Sequence, residues 1–501
     1  MPSTEQALIW VADNVFGQVA ILIGLITLLG LALQRKPLEE VVGGTLRAAL
    51  GVVILFVGVD LFTGGLSAVQ HVVSSAVGVA PPAAQSSLDD FLAAHGGTVA
   101  LTTTVGFLLH VALVRAFRAA RYVYLTGHLM FWVSALVTAC LVEAYGEGLP
   151  QLTLVLAGSV VAACYWTLQP LWTRPLMRRL TGKDDFGLGH TTSTLALLTA
   201  VVARPFGDPG RHGTERLAPP RRLAFLTDVN VGTALVIGAV LLAAMAFADP
   251  RVLAGIVAEY NAAEGANVGV WSWGVLAALR FAAGIAVLLF GVRMFLAEIV
   301  PAFKGIGDTA APGTRPALDV PTVFPFAPTA VMIGFAASTA SFLALLVVFA
   351  ATGWFTLVPP MIMLFFGGGA GGVFGNAVAG WRGAVIGGAL NGVLLAAGQA
   401  LTWGMLGSTA PELATLADAD WYVIAWLLLG VGRVLPSVWA APALAAAVTV
   451  AVLAWPALRA RRARRARRRT AAGPRRPAGE RPRQPHSPDP SPTPAPEEPP
   501  P

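Results

Sequence analysis

The sequence predicts an all-α polytopic membrane protein, and three observations lead to this fold class. Of the 501 residues, 55% are hydrophobic and only 12% are charged, whereas soluble proteins carry about 25% charged residues. Several apolar runs reach the roughly 20 residues that a helix needs to cross a bilayer. Two further stretches are apolar but are broken by glycine, proline and ionisable residues. Broken backbone at membrane depth is tolerated where it faces protein or a water-filled cavity, so these stretches predict two re-entrant hairpins around a transport site.

The apolar runs, taken in chain order, give the predicted spans. Arg35 and Lys36 follow the first run, which puts its C-terminal end inside and the N-terminus outside. An Arg-rich C-terminus in the cytoplasm then requires an odd number of spans, and about eleven fit. The predicted spans are 16–33, 43–66, 98–117, 125–145, 152–171, 229–248, 275–300, 329–351, 355–374, 384–403 and 421–455.

Two segments between the spans are predicted as loops, and the C-terminal tail as a disordered one. Residues 79–97 and the Pro/Gly/Arg-rich residues 204–222 are polar enough to lie outside the bilayer. From Arg459 onward, twelve arginines stand against four acidic residues, about +8, so the rest of the +7 chain carries about −1. The basic pI therefore belongs to a cytoplasmic Pro/Arg tail that cannot bury a core, and it does not indicate a nucleic-acid partner.

The first broken stretch, residues 174–202, holds His190 in the sequence FGLGH. Glycines on both sides of a polar residue let backbone groups face a ligand. A histidine in an ordinary loop is the alternative. His128, at the start of the span 125–145, is similarly either a site residue or an interfacial histidine next to a Thr126 N-cap.

The second broken stretch, residues 290–328, follows a membrane-grade helix. Asp319 lies between two prolines just before the next apolar run. Its carboxylate could accept hydroxyl hydrogen bonds from a sugar-like ligand, or it could cap the following helix. Arg293 and Glu298 are five residues apart on one helix and do not face each other, so they are expected to pair with other elements or to lie at the interface.

Several classes of site are not expected from this sequence. It contains no GxxxxGK[ST] phosphate-binding loop and no cluster of metal ligands, so no cofactor or metal is predicted. Cys140 and Cys164 lie in apolar runs and are predicted to be packing residues. Glycines at 367–369, 371 and 372 allow close helix approach or a local break.

Seven segments together resemble the IIC component of the ascorbate-type phosphotransferase system (PTS). They occur in the family's order with similar spacing and cover roughly residues 16–455. The segments are LTGHLMF (125–131), FGLGH (186–190), GVRMFLAE (291–298), AFKGI (302–306), ALD (317–319), FAPTAV (326–331) and GVFGNAVAGWRGA (372–384).

The resemblance implies a homodimer whose subunits each combine a V-motif dimerisation domain with a core substrate domain holding the two hairpins. It assigns residues 1–72 and 223–300 to dimerisation spans. Residues 73–222 form the first half of the core, and residues 301–458 form the second half with the final span. Residues 459–501, the disordered basic tail, lie outside the resemblance.

The resemblance also implies which residues hold the ligand, with no catalytic residue among them. In this chain they are Ser86, Ser87, His128, Leu129, Met130, Phe131, Trp132, His190, Thr191 and Asp319. At the positions of Trp132 and Thr191 the family usually has glutamine. An amide offers two donors and an acceptor, whereas an indole offers one donor and threonine one hydroxyl, so the substrate is expected to depend on these two positions.

The function that the resemblance implies is transport in the cell membrane. The permease would carry L-ascorbate or a related sugar acid inward by an elevator-like motion. Phosphoryl chemistry would occur on separate IIB and IIA proteins. The alternative is an ion-coupled secondary transporter of a sugar acid or another small anion, without phosphorylation.

Overall fold

The chain is predominantly helical in a computed structural model, which describes residues 18–78, 85–217, 229–309 and 313–471. Eight helices in these ranges are long and apolar enough to cross a membrane, in agreement with a polytopic membrane protein. Three shorter apolar helices accompany them. The number of eleven spans remains a prediction. The chain divides into two compact units, residues 1–453 and 454–501, and the described part of the second is the end of the last helix.

Fifteen α-helices lie within the described residues. They are α1 (Val19–Leu33), α2 (Leu38–Val77), α3 (Leu88–Ala116), α4 (Gly127–Tyr145), α5 (Gln151–Thr181), α6 (Ser193–Ala203), α7 (Pro209–His212), α8 (Val229–Met245), α9 (Pro250–Glu264), α10 (Val270–Thr309), α11 (Pro328–Thr352), α12 (Met361–Ala379), α13 (Trp381–Thr402), α14 (Ala419–Val434) and α15 (Ala440–Ala471).

Two predicted boundaries are corrected by local chemistry. The predicted loop 79–97 is helical from Leu88 onward, because Ser87 caps the helix by accepting from the amide of Asp90; residues 79–84 lie outside the described residues. The predicted single span 421–455 is two helices, α14 and α15. Pro436 lies in the break between them, where its missing N–H and fixed ring oppose a continuous helix.

The tail and the region before α10 also differ from the predictions. Residues 459–471, predicted as disordered, continue α15, because alanine and arginine both have high helix propensity. Residues 472–501 lie outside the described residues. Helix α9 was not predicted, since it is too polar for a span; Asp249 caps it by accepting from the amide of Arg251.

The two broken stretches begin as helix for longer than predicted. Helix α5 continues to Thr181 before the chain turns toward His190, and α10 continues to Thr309. Glu298 on α10 accepts a 2.6 Å hydrogen bond from Arg47 on α2, so it pairs with another element as expected. Cys140 and Cys164 are free and buried, which agrees with a packing role.

A seam of glycines joins the two longest helices, α2 and α10. A methyl group on Gly51 or Gly58 of α2 would overlap the backbone of α10, and one on Gly291 would overlap the backbone of Leu55 on α2. Helix α1 packs in the same way, with Gly30 against Ala302 of α10. Close backbone approach gives these helices extensive dispersion contact without bulky side chains.

The rest of the molecule packs around two further sets of helices. Helices α3, α4 and α5 contact one another, and so do α11, α12 and α13. The predicted close approach at the glycine-rich α12 is confirmed, since Gly371 meets the backbone of Gly387 on α13 and Gly372 meets that of Ala330 on α11.

A small parallel sheet, which the all-α prediction did not include, joins these sets. Its strands are β1 (Tyr122–Tyr124), β2 (Gly187–Leu188) and β3 (Arg315–Leu318), in the order β1-β3-β2. Tyr124 and Gly187 both pair with Ala317, from opposite sides of β3. Three segments that are far apart in the sequence are thereby fixed in one register.

The glycine seam predicts that a single added methyl group is costly. Gly58→Ala should lower the unfolding midpoint of the purified protein, since overpacking a well-packed contact typically costs about 1–3 kcal/mol. Gly255→Ala on α9 is the matched control, because a methyl group there meets nothing within 4 Å and alanine favours the helix. Thermal unfolding in detergent, followed by tryptophan fluorescence, measures both variants. Equal midpoints for the two would contradict the seam.

Candidate functional site

The three parallel strands end at one edge of the sheet, and a polar segment follows each of them. Thr126 and His128 follow β1, His190 follows β2, and Asp319 follows β3. The backbone pairing extends to this edge, where the amide of Leu125 donates to Ala317 and that of Gly189 donates to Leu318. The carboxyl ends of the strands therefore bring residues from three distant segments together.

Asp319 lies at the centre of this edge, between two imidazoles. One carboxylate oxygen is 3.6 Å from Nε2 of His128, and the other is 3.6 Å from Nε2 of His190. Asp319 also caps the turn that follows, because it accepts a 2.6 Å hydrogen bond from the amide of Val320. The side chain of Asp319 is 20% exposed, whereas that of His190 is 5% exposed. The carboxylate therefore caps this turn and also lies next to two imidazoles, while its role as a ligand residue stays a prediction.

A second carboxylate, Asp418, lies on the other side of His190. Its Oδ2 is 3.7 Å from Nδ1 of His190 and accepts a 2.7 Å hydrogen bond from Thr191. Nδ1 of His190 is also 3.2 Å from the hydroxyl of Thr192. Asp418 occupies the N-cap position of α14, yet its side chain caps nothing there. Its carboxylate is directed to the His190 segment instead of to its own helix.

The neighbouring Asp420 anchors the same segment. It accepts from the hydroxyl of Ser193 at 2.6 Å, from the amide of Thr194 at 2.6 Å and from the hydroxyl of Tyr165 at 2.6 Å. A carboxylate that satisfies free amides at the start of a helix stabilises that helix, here α6, from another element. The backbone oxygen of His190 is held as well, by Nε2 of Gln169 at 3.1 Å.

The electrostatic setting of these carboxyls is set by burial. Asp319 and Asp418 lie outside the eight helices able to span a membrane. Burial raises the pKa of each of them to about 7, because a charged carboxylate loses hydration there; the hydrogen bonds from Val320 and Thr191 only partly offset this. Burial also lowers the pKa of His190 well below its ordinary value, and His128 lowers it further.

The other predicted ligand residues have different surroundings. Leu129 and Met130 are buried in the core of α4, while Phe131 and Trp132 are partly buried. The ring of Trp132 lies 6.5 Å from that of Trp421, at 35°. Ser87 caps α3 and donates to Asp90, and the partly buried Ser86 precedes it. The structure thus brings together His128, His190, Thr191 and Asp319; the serines are placed at a helix start.

The site faces the bundle of α1, α2 and α10 across a small cavity of about 30 Å³. His128 and Asp319 line it on one side, and Phe56 meets the ring of His128 edge-on at 6.2 Å. The residues that line it from the bundle are all apolar. They are Ile23, Val52, Leu55, Phe56 and Phe295.

An ion-pair cluster holds the opposite edge of the sheet, where the strands begin. Asp184 accepts from Tyr122 of β1 at 2.8 Å and from Arg174 of α5 at 2.6 Å, and it forms an ion pair with Arg315 of β3. Burial opposes the charge on Asp184, but these donors outweigh it and hold the pKa of Asp184 below its usual range. We call this cluster the Asp184 clamp.

Sequence reasoning missed Asp418 and Asp420. Both stand just before an apolar run, in ADADWY, where an acidic residue is usually an N-cap. Two carboxylates within three residues at the start of a span were the available signal. Among the residues that the structure describes, no group of three or more His, Cys, Asp or Glu is arranged to hold a metal ion.

Comparisons with known proteins match most of the chain. The model of the EIIC-GAT family, described as "PTS system sugar-specific permease component", matches residues 14–420. A protein of Mycoplasma pneumoniae (strain ATCC 29342 / M129 / Subtype 1), named "Ascorbate-specific PTS system EIIC component", is 25% identical over 419 residues. That alignment covers 75% of this chain and 63% of the relative, so the chain spans less than two thirds of the relative's length.

The Asp184 clamp predicts a pH-dependent contribution to stability. Asp184→Asn should lower the free energy of unfolding by about 1–3 kcal/mol at neutral pH, because two partly buried guanidinium groups lose their anion. The pKa of Asp184 is lowered in the folded state, so this contribution is present above the unfolded-state pKa of about 4 and is lost as the pH falls further.

The control for this prediction is Asp185→Asn, which changes the adjacent, exposed aspartate. Thermal unfolding should give a constant difference between wild type and Asp184→Asn from about pH 8 to pH 5. Equal loss of stability in both variants would contradict a specific role of the clamp.

Proposed function

The chain belongs to the family of PTS sugar-specific permease components, and we propose that it is the membrane-translocating IIC subunit of a phosphoenolpyruvate-dependent sugar phosphotransferase system. One observation carries this proposal at the level of the site. Asp319 lies between His128 and His190 where three strand ends meet, at breaks in otherwise membrane-grade segments. Polar groups and irregular backbone in such a chain are expected at the cargo site.

The proposed cargo is L-ascorbate or a related sugar acid. A carboxylate accepts hydrogen bonds from hydroxyl groups, and an imidazole donates to a ligand oxygen, so the cluster suits a polyhydroxylated ligand. The name of the Mycoplasma pneumoniae relative agrees with this cargo. Trp132 and Thr191 stand where the resemblance leads us to expect glutamines. We therefore propose that the cargo is either a sugar acid whose hydroxyl pattern differs from that of L-ascorbate or a ligand held partly by stacking on Trp132.

Phosphorylation is proposed to occur on separate proteins. The sequence holds no phosphate-binding loop. The proposed partners are a cytosolic IIB protein, which phosphorylates the cargo, and a IIA protein, which supplies the phosphoryl group to IIB. The N-terminus is then outside and the C-terminus cytoplasmic, in keeping with the arginines after the last apolar run.

Transport is proposed to be elevator-like. Helices α1, α8 and α9 and most of α2 and α10 fall in the regions assigned to dimerisation, 1–72 and 223–300. The core with its two re-entrant hairpins comprises residues 73–222 and 301–458. The apolar wall opposite His128 and Asp319 supports a sliding contact, because apolar surfaces move past each other without breaking hydrogen bonds. The site would then reach either side of the membrane with the core.

An ion-coupled secondary transporter without phosphorylation is the second candidate. The partly buried Asp319 and the buried Asp418, on either side of His190, favour it, since carboxylate and histidine chains in membrane proteins are used as proton relays. Transport by proteoliposomes lacking IIA and IIB, driven by a pH gradient alone, would favour this candidate over the first.

The site predicts a loss of affinity when its acceptor or donor is removed. Asp319→Asn and His190→Ala should each weaken binding of L-ascorbate. A ligand hydroxyl left unpaired in a buried site costs about 1–3 kcal/mol, which is roughly five- to 150-fold in affinity. Isothermal titration calorimetry on the full-length protein measures this, with Asp185→Asn as the exposed-aspartate control. Unchanged affinity in both site variants, with intact folding, would place the ligand elsewhere.

The proposed homodimer predicts contact between copies along α2. Leu46, Leu50, Val53 and Val57 recur at helical spacing and are 47–56% exposed, which forms one apolar face. Leu50→Cys and Val53→Cys should therefore yield crosslinked dimers in mild detergent. Leu152→Cys on α5, also on an exposed leucine, is the control. A protein that stays monomeric, with no more crosslinking than the control, would rule out this interface.

A further inference from the structure

Carboxylates and imidazoles alternate across the site. The order is Asp418, His190, Asp319 and His128, with separations of 3.7, 3.6 and 3.6 Å. Each separation is longer than a hydrogen bond but short enough for strong coupling between charges. His190 therefore lies within 4 Å of two carboxylates, Asp319 on one side and Asp418 on the other.

The residues around these four side chains supply few positive charges to balance the carboxylates. The described residues of the bundle that line the cavity beside Asp319 are all apolar. On the side of Asp418 stand another carboxylate, Asp420, and the hydroxyls of Tyr165 and Tyr124. Among the described residues, no lysine or arginine forms an ion pair with any of the three aspartates. The site is therefore acidic, although the proposed cargo is an anion.

Two buried polar atoms of the site have no hydrogen-bond partner among the described residues. Oδ1 of Asp418 is buried and has no hydrogen-bond partner among the described residues, and Asp418 is only 2% exposed. Nδ1 of His128 is likewise buried and has no hydrogen-bond partner among the described residues. A buried ionised oxygen without a donor is costly, and neutralisation by a proton removes that cost.

We propose that the Asp418–His190–Asp319–His128 chain is a proton-binding site, and that one proton binds together with each anionic cargo molecule. The inference rests on the proposed function in taking the cargo to be a sugar-acid anion. The proton comes from the solvent and forms an O–H bond on a carboxylate oxygen of Asp319 or Asp418, the two carboxylates that flank His190. It returns to water when the cargo leaves, and no other bond changes. The raised pKa of both carboxyls agrees with a proton that is exchanged near neutral pH.

Proton coupling has a measurable consequence for affinity. If one proton is taken up per anion, the dissociation constant of L-ascorbate should rise about tenfold per pH unit once the chain is deprotonated. Asp418→Asn removes one of the proposed proton acceptors, so it should flatten this dependence: the ratio of the dissociation constants at pH 8 and pH 6 should fall below that of wild type. A purely structural role of Asp418 would instead weaken binding at every pH.

The test uses the full-length protein and two probes. L-Ascorbate, an anion across this range, is titrated by calorimetry in buffers of different ionisation enthalpy, from about pH 6 to pH 8. L-Gulono-1,4-lactone is the neutral matched probe. Uptake of about one proton with ascorbate, with less uptake for the lactone and for Asp418→Asn, supports the proposal. Binding of ascorbate without proton uptake overturns it.

A ligand-free measurement separates this proposal from the proposed function. Infrared spectroscopy of the wild-type protein should show a protonated-carboxyl band that is lost on raising the pH and is altered by Asp319→Asn or Asp418→Asn, but not by Asp185→Asn. If ascorbate does not bind at all, the sugar-acid function fails, and this band decides the proton site by itself. Absence of such a band overturns the proton site whatever the cargo.

Discussion

The backbone pairing of β3 with β1 and β2 is the constraint on which the site depends. His128, His190 and Asp319 come from three segments separated by roughly 60 and 130 residues along the chain, and the strand pairing brings them together. Parallel strands do so because their carboxyl ends must meet at one edge. Strands of two to four residues suffice, since helices α4 and α6 continue directly beyond that edge and are themselves packed or anchored.

The two edges of this sheet are treated in opposite ways. At the edge where the strands begin, Asp184 is surrounded by Arg174, Arg315 and Tyr122, so its charge is well matched. At the other edge, Asp319 and Asp418 meet imidazoles, a hydroxyl and the amide of Val320, and no arginine or lysine among the described residues pairs with them. A satisfied edge stabilises the fold, whereas an edge with unused donors and acceptors retains capacity for a ligand or a proton. The ion pairs that stabilise the sheet and the residues of the candidate site thus lie at opposite ends of the same short strands.

Sequence reasoning identified candidate site residues at breaks in apolar runs, because a polar residue at membrane depth is costly unless it meets protein, water or a ligand. His128, His190 and Asp319 were identified in this way. The strands could not be found, since Gly187–Leu188 is too short for a period-two pattern and β3 contains a proline. Asp418 was missed for a different reason. At a helix start its sequence context is that of a cap, and only the structure shows the carboxylate turned toward Thr191. The Asp184 clamp depends on partners from three segments, which spacing in the sequence does not reveal.

The glycine seam between α2 and α10 also limits how the protein can move. Gly51 and Gly58 are seven residues apart, two helical turns, so they lie on one line along α2. Where backbone touches backbone there are no side chains whose rotamers could adjust to a shifted partner, and a sliding step of one residue would drive a side chain into the opposite helix. We therefore expect α2 and α10 to move together as one rigid unit. If the proposed core moves, the change in conformation must occur in the connecting segments and at the apolar residues that face Asp319. The α2–α10 pair would then be a suitable fixed reference for measuring distance changes in the protein.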